Sequence, residues 1–485
     1  MSGPISLEPG RGKEDTLTLR LASSVTMALR LPRIGAGRRV RGDDAVDSLA
    51  AQLADRIGPA VHAYEVAALL ESEGLTADAI KEKYGHRNLF SLAEDLYTRV
   101  PRSFPEPPSA ADPWAPDHVR CALRGALFGL PGLAYPLTSG LWYADGAVLA
   151  LVVAGLLSWA WSQGLAHRAY LRLASGRYEA GRTLLYGAPA GALLAAGAGT
   201  ALVGPGPAAL FTVWQSVYLA AASVLLVFAR ERLLLGTLVP LVVGAALLPW
   251  TDPGPWLRAG LPLLTGLLVV AAAWYAIRTA LKEAPVAGAV RPGVRASLPY
   301  GLFGLSAGVL VMFAGLRHPY AVVALTLSMG PAEWLLYRYR GRCVAALRGT
   351  ATPAGFRLRS SAVLGGCLLG YLLPLVPAAL LTGAEVAPLL ALGAVLWTAL
   401  LLQAFGIAWL PAAICATAAA GVAGAGVVTH LLAGTAGIAG RAAVTSATLP
   451  VPPPGPLVPL LCCGAAAVAL LVCCVTLLGR PTAHA

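Results

Sequence analysis

The sequence predicts an all-α membrane protein, and three observations support that fold class. The 485 residues are 57% hydrophobic, with a mean hydropathy of +0.68, and only 12% are charged. A soluble domain carries about 25% charged residues, so this chain has too few to cover a water-facing surface. Apolar runs long enough to cross a bilayer recur along it. One stretch of the sequence also occurs as an internal repeat. We therefore expect about twelve transmembrane helices as two six-helix repeats, preceded by a small N-terminal helical cytoplasmic module.

The repeated stretch is residues 158–182, where an apolar run gives way to basic residues, and it recurs at 328–357. The motif Leu-Phe-Gly-Leu, which begins at Leu127, recurs from Leu302 in the same order. The aligned pairs include Ser158 with Ser328, Gln163 with Glu333, Leu165 with Leu335, Arg168 with Arg338, and Gly176 with Gly349. Two matches in the same order predict a duplicated half.

The chain before the membrane region divides into three parts. Residues 1–43 are polar and basic, and we interpret them as a disordered tail. Residues 44–100 form the helical module, because apolar residues recur at helical spacing and Thr76 and Asn88 stand where N-caps are expected. Residues 101–119 are rich in proline and predict an extended linker.

The helical module superficially resembles a DNA-binding helix-turn-helix. It is acidic as often as basic, however, and a membrane region follows it. We therefore expect no nucleic-acid partner, and we interpret the module as a docking or regulatory unit for a cytoplasmic protein.

The membrane region contains two predicted bundles, residues 120–296 and 297–485, surrounded by membrane lipids. A span needs about 20 mostly apolar residues. The predicted spans are approximately 121–140, 144–166, 183–203, 207–229, 233–250, 257–277, 298–316, 319–338, 360–382, 386–408, 409–432 and 456–478.

Charge between the spans predicts their orientation. With a cytoplasmic N-terminus, most arginines and lysines fall on inner loops, and only Arg258, Arg317 and Arg441 fall on the outer side. This asymmetry follows the positive-inside rule. We expect a multi-pass plasma-membrane protein with both termini in the cytoplasm.

The sequence carries no signature of a cofactor, metal or catalytic site. Its eight cysteines include no C-x-x-C pair. A P-loop, a G-x-S-x-G elbow, an H-E-x-x-H motif and paired carboxylates are all lacking. We therefore expect no metal, no cofactor and no enzymatic activity.

The predicted topology and two short segments resemble the multidrug/oligosaccharidyl-lipid/polysaccharide exporter superfamily. The segments are 298–305, LPYGLFGL, and 173–182, LASGRYEAGR. Within that superfamily the chain looks most similar to the polysaccharide and lipid-linked oligosaccharide flippases. The resemblance implies a V-shaped pair of six-helix bundles around a central cavity, with transport by alternating access. The N-terminal module departs from the usual pattern of that superfamily.

Three charged residues within the predicted spans are candidates for function, because charge inside a membrane is usually functional. Glu333 would line the cavity or take a proton or cation; alternatively, it lies at the inner interface and pairs with Arg338 or Arg340. Arg124 would meet a phosphate or act as an inner anchor. Arg258 would attract an anionic headgroup or simply snorkel to the interface.

Five uncharged residues are further candidates, since amides and indoles suit sugar hydroxyls. The alternative for each is hydrogen bonding between helices or an interfacial position. These residues are Gln163, Trp214, Gln215, Trp397 and Gln403.

The sequence therefore favours a flippase that exports a lipid-linked oligosaccharide or a polysaccharide. Two alternatives stay open: a cation-coupled drug exporter of the same superfamily, and a non-transporting membrane scaffold for cell-envelope enzymes. The first alternative usually needs a carboxylate inside the first bundle. We expect none there, because the acidic residues of that region are assigned to loops; they are Asp145, Glu179, Glu231 and Asp252.

Overall fold

A computed structural model describes residues 42–103, 115–141, 146–251, 253–285, 292–436, 455 and 457–484. The structure in these ranges is helical and contains no strand. The described residues before 104 form one compact unit and those from 115 onward form another. Most of the predicted basic tail, much of the proline-rich linker, and Asp145, Asp252 and Arg441 lie outside the described residues.

The N-terminal unit is a four-helix module. Its helices are α1 (Gly42–Ile57), α2 (Ala63–Ser72), α3 (Ala77–Lys83) and α4 (Leu89–Arg99). Both predicted N-caps are confirmed: the Thr76 side chain accepts from Ala79 N, and the Asn88 side chain accepts from Ser91 N. Such caps satisfy backbone donors that a helix leaves unpaired.

The second unit contains two successive sets of helices, which we call the first and second halves. The first half comprises α5 (His118–Gly129), α6 (Ala134–Thr138), α7 (Ala147–Leu173), α8 (Arg177–Thr200), α9 (Pro207–Val227), α10 (Glu231–Thr237), α11 (Val239–Leu247) and α12 (Gly254–Leu281). The second half comprises α13 (Leu298–Arg317), α14 (Pro319–Leu327), α15 (Met329–Arg348), α16 (Pro353–Leu372), α17 (Leu375–Thr382), α18 (Val386–Ala404), α19 (Trp409–Ala436) and α20 (Leu457–Cys473).

Each half has its own hydrophobic core. The buried apolar residues of the first half form one cluster between Leu127 and Ala280, and those of the second half form another between Phe303 and Leu478. Many large apolar side chains point outward instead; Leu267, for example, is 69% exposed. An apolar exterior of this kind suits lipid rather than water.

Eight helical segments among the described residues are long and apolar enough to cross a membrane, which indicates a multi-pass membrane protein. The segments are Ala147–Leu173, Pro207–Val227, Gly254–Leu281, Val294–Arg317, Pro353–Thr382, Val386–Ala404, Trp409–Val428 and Leu457–Leu478. The remaining predicted spans, 121–140, 183–203, 233–250 and 319–338, are also largely helical. Several of them are interrupted, as at the 3₁₀ turn Leu130–Leu133. The total of twelve crossings and the two repeats stay predictions.

The two basic stretches differ from the loops that the sequence suggested. Helix α7 continues to Leu173 and α15 continues to Arg348, so only short turns separate each from the next helix. Arginine is a good helix former, and its long stem covers apolar surface while its charge reaches water. Gly176 occupies the first turn with φ of 131°, a conformation that side chains other than glycine rarely adopt.

Candidate functional site

A buried cluster of charges joins the two halves, and Arg124 is at its centre. Arg124 Nη1 donates to Glu333 Oε1 of the second half at 2.5 Å. Arg124 Nη2 and Nε donate to Glu231 Oε1 at 3.1 and 3.3 Å. Arg124 is 9% exposed, Glu333 1% and Glu231 6%. One guanidinium therefore binds carboxylates from two different halves away from solvent.

Arg120 completes the cluster on its more accessible side. It lies one helical turn before Arg124, and its Nε donates to Glu231 Oε1 at 3.1 Å. Its side chain is 41% exposed, in contrast to 11% for the side chain of Arg124. Two arginines thus face two glutamates, and the formal charges balance.

Glu231 was assigned to a loop by the sequence, and that expectation was wrong. It begins α10, and its side chain is buried. Burial raises the pKa of Glu231, but the positive charges of Arg124 and Arg120 outweigh burial and bring the pKa below its ordinary value. The glutamate is therefore ionised at neutral pH. The expectation that Glu179 lies in a loop was also wrong, because Glu179 is in the first turn of α8 and pairs with Arg172.

The backbones that carry this cluster approach unusually closely. A Cβ atom on Gly125 would lie 3.3 Å from Gly330 Cα, and one on Gly330 would lie 2.6 Å from the carbonyl oxygen of Cys121. The absence of side chains at both glycines lets α5 and α15 pack at short range, as small residues do in membrane helix pairs. This contact brings Arg124 within reach of Glu333.

An aromatic pair lies beside the cluster. Trp334 Nε1 donates to His118 Nδ1 at 2.9 Å, so α15 is tied to the start of α5 by a second polar contact. Arg338 stacks over the Trp334 ring, 5.0 Å from its centre. Among the described residues Glu333 pairs with Arg124, whereas the sequence-based alternative named Arg338 or Arg340.

The halves meet a second time where α7 packs against α13. His167 stacks on Tyr300 with ring centres 3.8 Å apart, and its Nδ1 lies 3.1 Å from Ser297 Oγ. Gln163 is buried against Gly304, whose Cβ, if present, would lie 2.8 Å from Gln163 Cγ. This second contact is polar and aromatic and carries no ion pair among the contacts described.

Gln163 also lines a cavity between the halves. Trp159 and Gln163 of α7 face Phe303 and Met329 of the second half around a volume of about 30 Å³. Small-molecule sites usually enclose about 300–1,000 Å³. In this state the space is too small for a sugar, so the halves would have to separate to admit one.

The remaining polar candidates in the first half bind other helices. Gln215 Nε2 donates to the Leu151 carbonyl at 3.0 Å, while its Oε1 accepts from the Tyr135 hydroxyl at 3.0 Å. Trp214 Nε1 donates to the Pro262 carbonyl at 2.8 Å. Both residues therefore follow the helix–helix alternative and lie away from the charge cluster.

Three further candidates do not belong to the charge cluster, although one of them bonds the residue directly before Glu333. Trp397 is fully buried in the second half, and its Nε1 donates to the Ala332 carbonyl at 3.3 Å. Gln403 is buried, and its Nε2 has no hydrogen-bond partner in the part of the chain that the structure describes. Arg258 lies near the start of α12 and is half-buried, and its guanidinium is beside Gly140.

Sequence reasoning found Arg124 and Glu333 separately but missed that they bind each other, and it missed Arg120 and His167. The spacing of Arg120 and Arg124 was an available signal, because residues four apart share a helix face.

The sequence matches no protein-family model and no curated protein. The resemblance to the exporter superfamily therefore stays a prediction.

Proposed function

We propose that this chain is an integral membrane transporter that exports a lipid-linked oligosaccharide or polysaccharide by alternating access. One observation carries the proposal: a charge-balanced, buried ion-pair cluster, centred on Arg124 and Glu333, holds two separately cored halves together. The protein would lie in the plasma membrane, with both termini cytoplasmic, and would act without catalytic chemistry or a cofactor.

The pattern of helix contacts supports the duplication on which alternating access depends. In the first half α9 packs on α12, and in the second half α18 packs on α20. Between the halves, α5 packs on α14 and α15, while α7 packs on α13. If α5 corresponds to α13 and α7 to the α14–α15 pair, each of these two contacts is the counterpart of the other. A pseudo-two-fold arrangement of two bundles would produce this exchange.

The close approaches at the two contacts are similar as well. Gly125 meets Gly330 where α5 packs on α15, and Gly301 lies against the Ala160 carbonyl where α7 packs on α13. The sequence repeat aligns Gln163 with Glu333, so the corresponding positions carry an amide in one contact and a carboxylate in the other. The charge cluster is therefore the main difference between the two otherwise similar contacts that join the halves.

The charge cluster suits a gate. A buried ion pair gains Coulomb attraction but loses hydration, so its net contribution is small when it is intact, whereas losing one partner is costly. Separating the halves would return all four side chains to water together, which avoids leaving one charge buried alone. The arrangement is therefore stable when closed and able to open as a unit.

The choice of substrate rests on the family resemblance and on the closed cavity. Segments 298–305 and 173–182 resemble the glycan flippases, and the space beside Gln163 admits no sugar until the halves move apart. A rocking motion would open that space to one side at a time.

The proposal is tested with purified protein in liposomes that contain fluorescent lipid-linked oligosaccharides. Protein-dependent movement of the label between leaflets is expected, and the variant Glu333→Gln should change its rate. Glu385→Gln is the matched control, because Glu385 pairs with Arg317 within the second half alone. Absence of movement across a panel of lipid-linked glycans and polymers would overturn the proposal.

A cation-coupled drug exporter is the second candidate, and the burial of Glu231 favours it, since the first half does contribute a buried carboxylate. Against it, Glu231 is bound by two arginines and is a poor acceptor for a proton or cation. Deletion of the gene would then raise drug susceptibility, and expression of Glu231→Gln in the deletion strain would fail to restore the wild-type level. That result would support this function instead.

A further inference from the structure

An apolar groove on the first half is the basis of a separate inference that does not depend on the proposed function. The groove has a volume of about 750 Å³ and lies between the end of α6, the face of α9 and the face of α12. Its lining is almost wholly apolar; representative residues are Leu141, Leu210, Trp214, Leu263 and Leu267. The residues that line it all belong to the first half, so the groove is distinct from the contact between the halves.

The groove is held open by specific contacts. Trp214 forms its floor, with its indole bonded to the Pro262 carbonyl and stacked between Phe211 and Tyr218. A Cβ on Gly266 would lie 2.5 Å from Trp214 Nε1, so only glycine admits the ring in this position. A rigid apolar groove of this kind is pre-formed for a hydrocarbon chain.

One end of the groove carries residues that are typical of the lipid-headgroup region. Trp250 and Trp256 stand at the adjoining helix ends and are 78% and 90% exposed, as is typical of tryptophans at a membrane–water boundary. Arg258 lies at the same end: its Nη1 is 3.3 Å from the Cβ position of Gly140, next to the groove residues Leu141 and Ala259. Arg258 already takes part in another interaction, but a guanidinium carries five donors and can bind a phosphate as well.

We propose that the groove binds an anionic phospholipid of the bilayer, with one acyl chain along Trp214 and the phosphate near Arg258. The apolar lining recognises the chain, and the positive charge at the headgroup end selects an anionic lipid over a zwitterionic one. A bilayer lipid is the occupant because the groove opens outward from one half only and does not reach the cavity between the halves.

The test measures lipid retained by the full-length protein after extraction from nanodiscs that contain phosphatidylcholine and a minority of phosphatidylglycerol. Native mass spectrometry should show phosphatidylglycerol enriched over its share of the bilayer. Arg258→Gln should lower that enrichment by about fivefold, the ratio expected for one basic side chain near a lipid phosphate. Leu263→Trp should remove retention of both lipids by filling the groove.

The controls separate groove binding from general effects. Leu369→Trp places the same indole on an outward-facing position of α16 that is 70% exposed and outside the groove, and it should leave retention unchanged. If Leu263→Trp fails to fold, as judged by size exclusion and thermal unfolding, Val213→Trp fills the groove from α9. Retention of the two lipids by the wild type in proportion to their shares of the bilayer, or retention unaffected by filling the groove, would overturn the proposal. Preferential retention of an added polyprenyl phosphate would also overturn it and assign the groove to a carrier lipid.

Discussion

Arg124 and Glu333 lie 209 positions apart in the chain, yet Arg124 Nη1 and Glu333 Oε1 are 2.5 Å apart in a buried contact between the two halves. Long-range pairing of this kind requires that both helices be fixed by their own bundles. The contact is therefore a sensitive point at which a single substitution tests how the halves are joined.

The first prediction concerns the loss of one carboxylate. Glu333→Ala leaves Arg124 buried with only Glu231 for compensation, and we expect stability to fall by about 3–5 kcal/mol. Glu385→Ala, which removes a partly exposed pair with Arg317, should cost at most about 1 kcal/mol. Thermal unfolding in detergent measures both, and equal shifts for the two variants would contradict the assignment.

The second prediction exchanges the charges of the pair. The double variant Arg124→Glu with Glu333→Arg recreates opposite charges across the contact, although the carboxylate introduced at position 124 then repels Glu231. We expect the double variant to recover part of the stability that Glu333→Arg alone loses. No recovery in a double-mutant cycle would show that the two side chains do not interact directly.

The third prediction concerns the close approach of the backbones. Gly330→Ala adds a methyl group 2.6 Å from the Cys121 carbonyl, which forces α5 and α15 apart, and overpacking of this kind costs about 1–3 kcal/mol. Gly366→Ala in α16 has open space around its Cβ position and should instead stabilise the helix by about 0.5–1 kcal/mol. Thermal unfolding of the two variants should move in opposite directions, and a shared direction would argue against the contact.

The fourth prediction compares two buried amides. Gln215→Leu removes a buried amide that bonds the Leu151 carbonyl and the Tyr135 hydroxyl, and the loss of such buried hydrogen bonds costs about 1–3 kcal/mol. Gln403→Leu removes an amide nitrogen that has no partner among the described residues, so it should be neutral or stabilising. A lower thermal unfolding temperature for Gln403→Leu than for Gln215→Leu would contradict this interpretation.

Sequence patterns located the helices well and their interruptions poorly. Apolar runs indicated most of the membrane helices, because length and hydropathy are local properties. The breaks at Leu130–Leu133 and near Ser328 were not located, since a proline or small residue is tolerated in a membrane helix when neighbours satisfy the backbone. The basic stretches were assigned to loops because hydropathy falls where a helix leaves the lipid. The helices themselves continue beyond that point.

The site was only partly predictable for a similar reason. Arg124 and Glu333 are conspicuous as charges within apolar sequence, and both were identified as candidates. Glu231 was not, because it is flanked by Arg230 and Arg232 and has the local sequence of a charged loop. Its burial depends on α5 packing across the start of α10, which is a tertiary contact that no local pattern records.

The fifth prediction concerns pH and the N-terminal unit. Arg99 Nε donates to Asp95 Oδ1 at 2.8 Å, and Arg99 also bonds Asp47 of α1, so it ties α4 to α1. The hydrogen bond from Arg99 lowers the pKa of Asp95 below its ordinary value of 3.8, and the nearby His86 lowers it further. Because the folded pKa is depressed, the stabilisation is complete above the ordinary pKa and is lost as pH falls through the lowered value.

The expected contribution is up to about 1 kcal/mol, since the pair is partly exposed. Hydrogen exchange of α4 in the full-length protein should show weaker protection in Asp95→Asn than in the wild type at neutral pH. The difference should vanish at a pH below the lowered pKa, where Asp95 is protonated and resembles asparagine in charge. Asp55→Asn, at an exposed position on α1, is the control that should match the wild type throughout. A difference between wild type and Asp95→Asn that persists undiminished in acid would show that the carboxylate charge is not what stabilises α4.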